Sequence, residues 1–140
     1  CNQILKNEIQ KLNFNTFKIF NKQITKETIK LKNNLLNLNK NGKKIIGYGA
    51  PARVSTITNF GNIDSKLIDY IIDDSHLKQN RLSPGKHIKI LPKKNNINNK
   101  IDIVIVFAYE YFKDIKKNFK KFNVAFFKPI PFKKIKWLIC

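Results

Sequence analysis

Methionine is absent from this 140-residue chain and arginine nearly so, with two Arg against 26 Lys. Residue 1 is Cys, and a sequence without an initiating Met is expected to be a piece of something longer. The two cysteines stand at opposite ends, Cys1 and Cys140, so there is no CxxC metal pattern and no disulfide framework to read. No apolar run approaches the ~18 residues of a membrane-spanning helix, and no basic–apolar–small signal pattern opens the chain. The expectation is a cytoplasmic protein without a membrane partner. Acidic residues are scarce as well, nine in all, which leaves a net charge of +19. That excess invites a nucleic-acid reading, but the near-absence of Arg removes the planar fork that reads base edges. Lys, Ile and Asn number 26, 22 and 19, and all three are products of A/T-rich codons. The charge also lies on the flanks: residues 1–44 hold 10 Lys and 93–140 hold 12, while 45–92 has six basic and four acidic residues. Lysines on solvated helix faces explain both flanks, and no specific nucleic-acid partner is expected.

A hydrophobic fraction of 42% is enough to bury a core, and one composition regime over this length fits one domain. Phe17, Phe20, Ile24, Leu31, Leu35 and Leu38 recur at spacings of three, four and seven, an amphipathic stripe that Asn41-Gly42 should stop. Residues 1–15 carry a weaker helical pattern through Ile4, Leu5, Ile9 and Leu12. After this lead-in over 1–42 comes an α/β body over 43–132 and a tail over 133–140. In the body, Ile45 to Tyr48 reads as a strand running into glycines, and Ala52 to Phe60 as a helix closed by Gly61. Leu67 to Ile72 reads as a second strand, Ser83-Pro84-Gly85-Lys86 as a type II turn, and Ile88 to Leu91 as a short strand. Lys93 to Lys100 is a polar linker or irregular helix. Ile101 to Phe107 has the β-branched density of a strand buried on both faces. Tyr111 to Phe122 reads as a helix, Val124 to Phe127 as a last strand, and Pro129-Ile130-Pro131 as its end. Alternating strands and helices imply a small Rossmann-like three-layer domain with a mainly parallel sheet and an N-terminal amphipathic helix.

Gly47-Tyr48-Gly49-Ala50-Pro51-Ala52 joins the first strand to a helix, where a Rossmann unit brings backbone close to a ligand and aims helix N–H groups at an anion. Ala52 replaces the third glycine of GxGxxG, and Pro51 removes a donor. Asp73 follows Gly49 at about the separation of a ribose-binding carboxylate. A tight strand–helix turn needs glycine for purely structural reasons too. Arg53 and Arg81, the two guanidiniums in a lysine-rich chain, point to phosphate or carboxylate binding. His76 and His87 each lack a second ligand at metal spacing, so no metal site is expected. Asp73-Asp74 should point to opposite sides at a strand end, which argues against a proton-sharing pair.

Gly47 to Arg53, followed by Thr56 and Asn59, resembles the GYGAPA-[KR] segment of the C-terminal domain of S-adenosylmethionine-dependent sugar C-methyltransferases. The likeness continues through Asp69-Tyr70-Ile71-Ile72-Asp73, Lys78-Gln79, Arg81, Pro84-Gly85 and His87-Ile88, which resemble the block DYVVD…KQGR…PGxxIPI. Phe107-Ala108 and Pro129-Ile130-Pro131 are similar to its later strand and its PIP end. The likeness covers roughly residues 17 to 132. It departs at Asn80, where the pattern has Gly; at Asp74-Ser75, where it has Arg-Asn; and at Tyr109-Glu110, where it has Trp-Asn.

The resemblance implies a Rossmann-like domain that walls a site for a nucleotide-linked keto-sugar. The family's reaction removes a proton α to the ketone, and the enolate carbon takes the methyl group. S-adenosylmethionine and a zinc module would belong to upstream domains, with no cofactor bound by this domain alone and no catalytic residue in it. The partners implied are the nucleotide-linked sugar and the upstream methyl-donor-binding domain. Carried over by position, the sugar-nucleotide contacts would come from Gly47 to Arg53, Thr56, Asn59, Asp73, Lys78, Gln79, Arg81, Tyr109 and Glu110. A stand-alone nucleotide- or cofactor-binding module is the alternative.

Overall fold

The computed structural model describes residues 13–135, so the pattern through Ile4, Leu5, Ile9 and Leu12, both cysteines and Trp137 lie outside the described residues. Helix α1 (Phe14–Lys40) starts behind Asn13, whose side-chain oxygen accepts the Thr16 N–H at 3.0 Å. It stops at Asn41-Gly42, where Gly42 takes φ +69. The apolar stripe is only half used. Leu31 and Leu35 are buried and Leu38 partly so, but Phe17 and Phe20 are exposed. Twenty-seven helical residues span about 40 Å, whereas no strand of the sheet exceeds four residues, so the helix outruns the body it packs on.

Strand β1 (Ile45–Tyr48) leads to α2 (Ala52–Phe60), then β2 (Ile71–Ile72), β3 (Arg81–Leu82), β4 (Lys89–Leu91) and β5 (Ile103–Val106). A 3₁₀ turn (Tyr109–Tyr111) opens α3 (Phe112–Lys117), and β6 (Ala125–Lys128) and β7 (Lys133–Lys134) follow. The sheet order is β3-β4-β2-β1-β5-β6-β7. Its five inner strands run parallel, and the edges β3 and β7 are antiparallel. Alternation along β1 divides the core. Ile45 joins Leu31, Leu35 and Val54 on the α1/α2 face, while Ile46 and Tyr48 join Ile115 and Phe119 on the α3 face. This is the three-layer, mainly parallel Rossmann-like arrangement that the alternation of elements predicts.

Several boundaries differ from expectation. Leu67 and Ile68 sit in a turn, because the Asp64 carbonyl accepts both of their N–H groups, and the ladder starts only at Asp69. Helix α3 ends at Lys117; beyond it Phe119 and Phe122 bond three residues back, a tighter winding that still buries Phe119. Pro129–Pro131 does not end the sheet, since the first residues of the expected tail return as β7 beside β6. Asp102, the lone acid in the β5 run, accepts the Lys44 N–H at 2.9 Å and pairs with Lys43 at 3.0 Å.

Candidate functional site

The chain leaves β1 through α2 to β2 on one side, while β5 flanks β1 on the other, so the strand order reverses beside β1. A cleft of about 550 Å³ opens there at the carboxyl ends of the strands. The Gly49–Pro51 loop, the Asp73-Asp74 bend, Ala108 after β5, and Tyr111 and Ile115 form its walls.

Gly49 has φ +82, and a Cβ on it would collide with that of Ala108 and lie 3.0 Å from the Ala108 nitrogen. Glycine there serves a close approach of the β1 and β5 ends rather than a ligand. At Gly47 a Cβ would meet the Ile71 side chain at 2.9 Å and the Phe107 ring at 3.0 Å, so this glycine also makes room for packing. The loop is tied down by Asp73, which is buried. One carboxylate oxygen accepts the Ala50 N–H at 2.6 Å and the other the Ser75 N–H at 2.8 Å. With Ala50 engaged and Pro51 lacking a donor, two positions of the loop offer no N–H to an anion.

At the cleft floor the buried Tyr48 hydroxyl donates to Asp74 at 3.1 Å and accepts from the Asn118 side-chain amide at 2.8 Å. Burial, reinforced by the Asp74 charge, pushes the Tyr48 phenol well above its ordinary value of 10.0, and burial raises Tyr70 as well. The folded state therefore binds the Tyr48 proton more tightly than the unfolded chain does. Stability present below about pH 10 is expected to fall as pH rises above it. Tyr48→Phe should lower stability at neutral pH by about 1–2 kcal/mol, since it leaves Asn118 and Asp74 without their shared partner. The same variant should flatten the alkaline decline, which melting curves against pH would check.

Both Asp73 and Asp74 border the cleft, contrary to the alternation expected at a strand end, because both lie beyond the last β2 residue. They serve different partners: Lys78 stands 3.8 Å from Asp73 and Lys93 3.3 Å from Asp74. Lys117 pairs with Asp114 at 2.7 Å on the α3 side. Each rim lysine thus faces its own aspartate, and the cleft presents paired charges around an apolar wall.

The expected site residues fall into groups. Tyr48, Gly49, Pro51, Asp73 and Lys78 line the cleft. Arg53 forms a second cluster: its guanidinium meets Glu110 at 2.6 Å and lies 4.7 Å from the Tyr109 ring centroid, with the Lys128 ammonium 4.4 Å from the same ring. The Glu110 carboxyl is held below the usual range by its own backbone N–H and by Arg53, so it stays ionised. Asn59 donates to the Pro84 carbonyl at 3.0 Å and Gln79 to the Asp73 carbonyl at 2.9 Å, both fastening loops. Ala52 and Thr56 are exposed on α2, and Arg81 is exposed on edge strand β3. Tyr111, Asp114 and Asn118 line the cleft without having been singled out from the sequence. Asp114 and Asn118, four apart, are the one signal that could have found them. Among the described residues, no group of three His, Cys, Asp or Glu stands close enough to hold a metal ion.

Residues 2–131 match the family described as the C-methyltransferase C-terminal domain. The chain belongs to that family. C-methyltransferase NovU of Streptomyces niveus is 30% identical over 93 residues, which are 64% of this chain and 22% of NovU. The matched stretch of this C-methyltransferase C-terminal domain therefore covers under a quarter of that relative's length. Asn80 has φ +61, a left-handed conformation that asparagine is one of the few side chains to tolerate. No helix among the described residues is long and apolar enough to cross a membrane.

Proposed function

We propose that this domain forms the sugar-nucleotide-facing wall of a C-methyltransferase acting on a nucleotide-linked keto-sugar, and that it transfers no methyl group alone. The observation that carries the reading is the cleft beside β1 and β5, whose volume of about 550 Å³ suits a nucleoside or a sugar. Its paired rim charges favour an uncharged, hydroxyl-bearing group, since Asp74 and Asn118 can share hydrogen bonds with hydroxyls while no rim lysine lacks its aspartate. Phosphates would lie outside the cleft toward Arg53 and Lys128, two cations that share the single Glu110 carboxylate.

S-adenosylmethionine supplies the methyl group when bound, and on this reading it is held with a zinc module by the rest of the enzyme.

The test uses the full-length enzyme and calorimetric titration with a nucleotide-linked keto-sugar. Tyr111→Ala and Arg53→Ala should each weaken binding on the order of tenfold, by loss of a ring platform and of a charge-assisted contact. Tyr111 is 67% exposed and Arg53 is partly exposed, so the melting temperature should hardly move. Wild-type affinity and turnover in both variants would overturn the reading.

A further inference from the structure

We propose that the N-terminal half of α1 is the docking surface for the domain that precedes this one in the methyltransferase chain. Phe14, Phe17 and Phe20 are 80%, 57% and 61% exposed. Together they leave roughly 400 Å² of apolar surface in water, the size at which a patch on a soluble protein marks an interaction site. The patch is not scattered. It continues, through Ile24, the stripe that buries Thr28, Leu31 and Leu35 against the sheet, so its occupant must sit beside the body on the same side of the helix.

The occupant follows from where the patch lies. The family match begins at residue 2, ahead of α1, and its description puts the domain at the C-terminal end of a methyltransferase. NovU, matched over only 22% of its length, holds most of its chain outside this domain. A chain arriving from such a preceding domain enters through the N-terminal end of α1, where the uncovered phenylalanines stand. Charge adds a constraint. Helix α1 carries six lysines and one glutamate, with Lys18, Lys22 and Lys26 exposed near the patch, so the facing surface should be apolar at its centre and acidic at its rim.

The proposal rests on this chain being one domain of a longer methyltransferase, and not on what the cleft binds. Hydrogen exchange in the full-length enzyme tests it, comparing wild type with Phe17→Ser/Phe20→Ser. The expected result is a loss of protection of about a hundredfold at amides 14–24 and in one patch of the preceding domain, with β1 and β5 unchanged. The unchanged strands keep a folding defect distinct from a docking defect. Exchange that is unaltered in every segment ahead of residue 13 would overturn the proposal. So would a dimer that dissolves on the same substitutions, which would make a second copy the occupant. An intact mass equal to this chain alone would overturn the longer-chain reading itself.

Discussion

Gly49→Ala is expected to destabilise the protein by about 3 kcal/mol or more, the largest loss from adding a single methyl group anywhere in the loop. Two causes combine. The φ of +82 holds the residue in the left-handed region, and the new Cβ would press on the backbone and Cβ of Ala108. Backbone cannot swing aside as the end of a flexible side chain can, so β1 and β5 would have to part at the mouth of the cleft. Gly42→Ala separates the two causes. That glycine has φ +69 but nothing within 4 Å of the added atom, so it should lose only about 1 kcal/mol. Denaturant unfolding of both variants gives the steric share by difference. Equal losses would show that Ala108 yields and that the close approach is soft.

Asp73→Asn is the second large effect, with an expected loss of about 2–3 kcal/mol. An amide can offer its oxygen to Ala50 or to Ser75 but must turn an NH₂ toward the other N–H, leaving a buried donor against a donor. Lys78 loses its counter-charge as well, a minor change at a half-exposed side chain. The loop should loosen before the sheet does, so exchange at the Ala50 and Ser75 amides should accelerate more than exchange in β5. A variant that kept wild-type stability would mean that the carboxylate is free for another use.

The expected α2 boundaries match the structure because chemistry marks both ends: Pro51 cannot continue a ladder, and Gly61 closes the helix. Strand β5 was equally legible, since four consecutive buried β-branched residues leave little choice. The strands β3 and β7 were not, because two exposed residues carry no periodicity and gain their partners only from the neighbouring strand. The site divides in the same way. The Gly49 loop announces itself locally, whereas Arg53–Glu110 and Tyr48–Asn118 join residues 57 and 70 positions apart, and composition near one says nothing of the other. Exposure along α1 was hidden for a related reason: an apolar stripe records that a face is to be covered, but not by what.

The two sheet borders have a consequence for how the protein behaves at high concentration. An open strand edge is a template on which another chain can add by main-chain hydrogen bonding, the first step toward aggregation. Here each border is only two residues long. One presents Arg81 and Leu82, the leucine paired with Lys89 of β4, and the other presents Lys133 and Lys134, all of them exposed. Bringing two such borders together would set cation against cation along a ladder too short to offset the repulsion. Lysines that do nothing for the cleft therefore keep an isoleucine-rich sheet from growing beyond its own seven strands.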